Sequence, residues 1–194
     1  MTSQPSVYVI GGPNGSGKST LAPFLLRDKL HLTNFINADT IASGLSAFEP
    51  DQVQIEAGRI ALNRLEQLAT QHQSFAFEST LASRTYARRI GQWKTTGYTF
   101  HLIFLWLQSS ELAIERVAIR VKLGGHSIPE ETIRRRYMRG IQNFHHLYKP
   151  LANSWSIIDN SDPGQPVLIA HGENTGSLMV YQNKLWKSFC ETIQ

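Results

Sequence analysis

Apolar residues along this chain follow two alternating rhythms. Val7–Ile10, Phe35–Ile36, Phe75–Phe77, Phe100–Leu107 and Trp155–Ile158 are short, nearly unbroken apolar runs. Each is bounded by polar or turn-forming residues, which reads as a strand. Phe100–Leu107 is the longest, as expected of a central strand covered on both faces. Between the runs, apolar residues step by three and four. From Gln52 to Gln71 the set Val53, Ala57, Ile60, Ala61, Leu65 and Leu68 forms one stripe of a long helix. Further helices are predicted over Lys18–Leu30, with Pro23 tolerated near the first turn, and over Ser83–Thr95, stopped by Gly97. Two more are predicted over Glu111–Leu123, closing on Gly124-Gly125, and from Ser127 to about His146, where Ser127 and Glu130 fit a capping box. Val167–Tyr181 reads as a hairpin around Gly172-Glu173-Asn174 with a short final helix behind it.

Strands alternating with helices predict an α/β fold: a P-loop NTPase/kinase-like three-layer arrangement with a mainly parallel sheet and right-handed crossovers. The pattern shows no internal repeat and no linker, so residues 1–194 are expected to form one domain, with 166–194 as a hairpin-plus-helix extension. In such sheets ligands sit outside the carboxyl ends of the strands. Gly12–Ser19, Asn37–Asp39 and Glu78–Thr80 each follow a predicted strand, so they should converge on one crevice.

The first of these segments, Gly12-Pro13-Asn14-Gly15-Ser16-Gly17-Lys18-Ser19, matches G-x-x-x-x-G-K-[ST] between a strand and a helix. Backbone N–H groups must wrap a phosphate chain, which needs glycines that allow unusual dihedrals and close approach. The helix N-terminus adds its positive end. Lys18 would reach the β- and γ-phosphates of ATP, and the Ser19 hydroxyl would ligate Mg²⁺. Gly12, Pro13, Asn14, Gly15, Ser16, Gly17, Lys18, Ser19 and Thr20 are the expected nucleotide-binding set. A GTPase would carry an N/T-K-x-D segment, and this chain has none. A motor ATPase would need more modules than 194 residues hold. A single-domain kinase of a small molecule fits best.

Asp39, at the end of the second strand, suits a kinase base that orients an acceptor hydroxyl and takes its proton. It also suits an N-cap for a helix starting at Thr40, and the two roles are compatible. Glu78 would bind substrate hydroxyls, enter the magnesium shell, or simply end a strand in solvent, and Thr80 would help position the substrate. Arg116 and Arg120 lie four apart on one helix face and offer planar forks to phosphate oxygens in the transition state. Gly124-Gly125-His126 reads as a hinge, with His126 either touching phosphate or substrate or standing as a plain loop residue. Arg134, Arg135, Arg136 and Arg139 crowd one helix. At most two of the consecutive arginines can face one ligand, and Arg135 is expected on the solvated side.

Composition narrows the classes. Charged residues are 18% and hydrophobic residues 41%, a globular balance. Lys plus Arg is 19 against 15 acids, a net +4 that suits a nucleotide and leaves RNA open as a partner. One cysteine, Cys190, makes no internal disulfide, and no Cys/His set has zinc spacing. No basic segment precedes an apolar stretch at the N-terminus, and no apolar run nears the ~20 residues of a membrane span. A soluble cytoplasmic protein without membrane contact is expected.

Gly11-Gly12-Pro13-Asn14-Gly15-Ser16-Gly17-Lys18-Ser19-Thr20, Asn37-Ala38-Asp39, Phe77-Glu78-Ser79-Thr80-Leu81 and Ile114-Glu115-Arg116, in that order, resemble the zeta toxin kinases, and most closely their short stand-alone branch. The resemblance spans about Val7 to Asn160. It implies transfer of the γ-phosphate of ATP to the 3′-hydroxyl of UDP-N-acetylglucosamine. It further implies Lys18 and Ser19 on ATP and Mg²⁺, Asp39 as base, Glu78 and Thr80 on the acceptor, and Arg116 at the transition state. The family has a second basic residue before a Thr-Pro segment. Here His126-Ser127-Ile128-Pro129 stands in its place, leaving Arg120 or Arg134 to supply the charge. The resemblance also implies a small helical antitoxin covering the ATP site. Two alternatives stand beside it: a kinase or ATPase acting on a nucleoside, antibiotic, RNA end or water, and a regulator that holds nucleotide without transfer.

Overall fold

The computed structural model describes residues 4–125 and 127–193. Its strands are β1 (Ser6–Gly11), β2 (Phe35–Ile36), β3 (Phe75–Ser79), β4 (Thr99–Trp106), β5 (Ser154–Asp159), β6 (Val167–Glu173) and β7 (Leu178–Val180). Its α-helices are α1 (Lys18–Ala22), α2 (Ala38–Leu45), α3 (Gln54–Thr70), α4 (Thr85–Thr95), α5 (Ser110–Lys122), α6 (Glu130–Asn143) and α7 (Asn183–Glu191). The strands form one sheet in the order β2-β3-β1-β4-β5-β6-β7. β2 to β5 are parallel, and β6 and β7 add antiparallel at one edge.

Alternate residues of the central strands feed two cores. Val7, Val9, Phe75, Phe77, Phe100, Leu102 and Phe104 are buried on one face with Leu65 and Leu68 of α3, Trp93 of α4, Ile141 of α6 and Phe189 of α7. Ile10, Ala76 and Leu105 pack on the other face with Ala22 of α1 and Leu26. This is the expected three-layer sandwich, and it leaves β4 buried from both sides.

Several local expectations are corrected. The helix after the P-loop is α-helical only to Ala22, and Pro23–Lys29 widen into π-helical turns, with Leu30 N donating to Leu25 O at 3.2 Å. Pro23 has no N–H to give, and its ring crowds the carbonyl four residues back. Ile60, placed on the buried stripe of α3, is 39% exposed. The capping box does not form: α6 starts at Glu130 behind Pro129, which caps nothing with its side chain. A proline pushes the residue before it out of helical backbone, so Ser127 cannot be the helix start. The hairpin turn falls at residues 174–177, later than predicted. Gly172 lies within β6, where a Cβ would sit 2.4 Å from Trp155 Cζ2, so the aromatic ring and not a turn requires the glycine.

α6 crosses the end of β3 closely. A Cβ on Gly140 would lie 2.5 Å from the Thr80 carbonyl oxygen. Gly140→Ala is therefore expected to cost about 1–3 kcal/mol through overpacking against backbone. A thermal midpoint equal to wild type would refute this reading of the contact.

Candidate functional site

β1 ends in the glycine-rich loop, whose shape depends on backbone only glycine adopts here. Gly12 has φ +148°, and a Cβ there would meet Leu105 O at 2.4 Å. Gly17, at φ +82°, caps α1 in left-handed backbone, and the first N–H groups of α1 open toward the crevice. Asn14 and Ser16 are buried, and neither Asn14 Oδ1 nor Ser16 Oγ has a hydrogen-bond partner among the described residues.

Lys18 folds back over this loop. Its Nζ donates to Gly12 O at 3.0 Å and Pro13 O at 2.8 Å. Burial lowers its pKa to about 8, against the opposing pull of Glu78 and Asp39. Ser19 Oγ donates to both carboxylate oxygens of Glu78, at 2.9 and 3.1 Å. Burial raises the Glu78 pKa, while Lys18 and the Ser19 hydrogen bond pull it back. Glu78 belongs to β3, in register with Ile10, and does not follow the strand as expected.

The sequence reading put Asn37 at the crevice but gave it no role. Its Oδ1 accepts from Asp39 N at 2.8 Å and Thr40 N at 3.1 Å, capping α2, while its Nδ2 donates to Glu78 Oε1. Asn37 thus takes the cap position considered for Asp39. Asp39 lies in the first turn of α2 and faces the crevice. An Asn directly before a helical pattern was the available signal, since Asn caps as well as Asp.

The crevice has two lobes that share Asn14, Lys18, Asp39 and Glu78. A lobe of about 280 Å³ adds Gly15, Gly17, Ser19, Thr20, Arg116 and Arg120. Gly12, Pro13 and Ser16 build the loop without lining either lobe. A second lobe of about 350 Å³ is lined by Thr80 together with Arg135, Arg136 and Arg139 of α6. One expectation changes here. Arg134 turns away to α5, where it pairs with Glu111 and donates to Ser110 Oγ at 3.2 Å. Arg135 stays exposed, as expected of the solvated side, and from there also borders the second lobe. His126 lies outside the described residues. Among them no cluster of three or more His, Cys, Asp or Glu could hold a metal.

The loop after β5 braces the first lobe, another feature the sequence reading missed. Asn160 Nδ2 donates to Ser16 O at 2.8 Å, and a Cβ on Gly17 would come within 2.6 Å of that nitrogen. Arg116 donates to Ser161 O at 2.7 Å. The buried Asp159 carboxylate accepts from Ser161 N at 2.9 Å and Gln108 Nε2 at 2.8 Å, which fixes this loop to the end of β4. Asn160→Ala is expected to raise the KM for ATP severalfold with kcat changed little, since it loosens the phosphate cradle and leaves the acceptor lobe intact. An unchanged KM for ATP would refute the brace.

Comparisons with known proteins bear on the family and the fold. The family model described as Zeta toxin matches residues 1–162. An uncharacterized protein of Haemophilus influenzae is 36% identical over 126 residues, covering 65% of this chain and 88% of that protein. A chain of the crystal structure of AvrRxo1-ORF1:-ORF2 with ATP superposes with a TM-score of 0.78 at 19% identity, over 96% of this chain and 63% of its own length. A chain from the PezAT chromosomal toxin–antitoxin system of Streptococcus pneumoniae superposes with a TM-score of 0.69 at 16% identity, over 97% of this chain and 78% of its own. This chain thus spans less than two thirds of the AvrRxo1 chain. No helix of the described residues is long and apolar enough to cross a membrane.

Proposed function

The chain belongs to the zeta toxin family of P-loop phosphotransferases, and on that premise we propose that it transfers the γ-phosphate of ATP to a hydroxyl of a sugar nucleotide such as UDP-N-acetylglucosamine. The observation that carries the reading is Asp39, released from capping by Asn37 and set where the two lobes meet beside Lys18. ATP occupies the lobe of the P-loop, Arg116 and Arg120. The acceptor occupies the lobe of Thr80 and α6.

Each step follows from the side chains present. Lys18 exchanges two backbone carbonyls for the β- and γ-phosphates, so its ammonium is already in place. Ser19 donates its hydroxyl hydrogen bond to Glu78, which leaves the oxygen's lone pairs for a cation. One hydroxyl beside one carboxylate and a phosphate site suits Mg²⁺, which keeps waters and takes few protein ligands. When bound, Mg²⁺ neutralises charge on the β- and γ-oxygens. Asp39 orients the acceptor hydroxyl and takes its proton as the phosphoryl group leaves ATP. Arg116, aimed by the Ser161 carbonyl, and Arg120 stabilise the charge that spreads over the equatorial oxygens.

Arg135, Arg136 and Arg139 support an acceptor that itself carries phosphate. None has an ion-pair partner among the described residues, although all three line the lobe. The toxin–antitoxin assembly in the PezAT name supports a small antitoxin partner here, and use of ATP supports a cytoplasmic reaction.

The test is transfer from γ-labelled ATP to UDP-N-acetylglucosamine, to the unphosphorylated sugar and to a small-metabolite extract. Label is expected on the sugar nucleotide, with a raised acceptor KM in Arg139→Ala and an unchanged KM for ATP. Label confined to the extract would discard this acceptor and keep the kinase. Nucleotide binding without label anywhere would favour the regulator.

A further inference from the structure

A second cleft of about 390 Å³ lies at the other end of the sheet, where β5 begins and β6 ends, away from the crevice at the carboxyl ends of the parallel strands. One wall is the continuation of α6, where Phe144–Tyr148 form a π-helical turn and Lys149–Leu151 a 3₁₀ turn. That wall presents His145, Lys149 and Pro150. The facing wall is the β6–β7 turn with Glu173 and Asn174, and Trp155 forms the floor. Glu173 and Asn174 lie beyond the residues that match the family model. The cleft is thus a junction between the family body and the C-terminal extension.

Its polar groups are unspent. The Lys149 ammonium sits 4.6 Å over the Trp155 ring and has no carboxylate partner among the described residues. Burial holds its pKa below the ordinary lysine value. Glu173 faces the same cleft, and among the described residues its carboxylate accepts only a 3.5 Å contact from Thr175 Oγ1. Two opposite charges therefore line one cleft without bridging to each other. π-helical turns cost hydrogen-bond quality and are frequent at functional sites. A cleft with an apolar wall and a few convergent polar groups is the usual form of a small-molecule site.

We propose that this cleft binds a small zwitterion of the α-amino-acid type, its carboxylate on Lys149, its ammonium on Glu173, and its apolar side chain against Pro150 and Trp155. The charge pattern selects this class. A simple carboxylate would leave Glu173 unpaired beside its own negative charge, and a simple amine would face Lys149.

The test is equilibrium binding of L-phenylalanine and L-leucine to the full chain, independent of any kinase assay. Two half-molecules serve as comparisons: 3-phenylpropanoate, which lacks the ammonium, and 2-phenylethylamine, which lacks the carboxylate. Saturable binding of an amino acid at about 1 mM or tighter is expected, with each half-molecule at least about tenfold weaker. Lys149→Met and the milder, exposed Glu173→Gln should each abolish it with thermal midpoints near wild type, and Lys18→Ala should leave it intact. No saturable binding of either amino acid would overturn the proposal. So would half-molecules that bind equally well, or full binding by Glu173→Gln.

Discussion

Asp39→Asn is expected to lower phosphoryl transfer about 10²–10⁴-fold, the span of a general base, with ATP affinity nearly unchanged. The substitution keeps size and shape, so the first turn of α2 and its Asn37 cap should survive. What it removes is the oxygen that takes the acceptor proton at the meeting point of the two lobes. The loss should therefore fall on kcat, with the KM for ATP steady. Steady-state kinetics alongside direct ATP binding would separate the two. Transfer within about threefold of wild type would remove Asp39 from the base role and point to water or Glu78.

Lys18→Ala should cost both binding and turnover, about 10²–10³-fold in kcat, the scale set by losing one preorganised donor to developing charge. The same lysine sets a pH signature. Its folded pKa of about 8 lies below the 10.5 of an ordinary lysine, because burial penalises the ammonium. Only the ammonium holds phosphate well, so ATP affinity of the free enzyme should be flat below pH 8. Above that it should fall, at most tenfold per pH unit. Folding stability runs the other way. Between about 8 and 10.5 the unfolded chain keeps a proton that the folded chain has released, so this group adds stability as pH rises through that window. Titration of ATP affinity from pH 7 to 9.5 would decide the matter. A flat profile in the wild type would show that Lys18 keeps its proton in the free enzyme.

The candidate site was legible where chemistry needs contiguous residues. A phosphate loop must run strand, glycines, lysine, hydroxyl and helix in unbroken order, so Gly12–Thr20 could be read directly. Asp39, Glu78, Arg116 and Arg120 were legible through placement, because strand ends and a helix stripe set which residues share a crevice. Contacts between distant segments were not legible. Nothing near Arg135 in sequence says that it lines the lobe while Arg134 pairs with Glu111. That outcome depends on where α6 lies relative to α5 and the end of β3, and α5 and β3 are far from it in sequence. The role of Asn37 went unread because its amide serves two segments at once, capping α2 and bonding Glu78.

The sequence by itself determined the strand–helix alternation, the central place of β4 and the phosphate loop. Each follows from periodicity or from local backbone demands encoded within a few neighbouring residues. Only the tertiary structure decided which face of α6 points inward, that Asn160 and Ser161 brace the P-loop and Arg116, and that the extension adds to one sheet edge and opens a second cleft there. These outcomes depend on how closely two backbones approach across long sequence separations, and close packing settles that for the whole molecule at once.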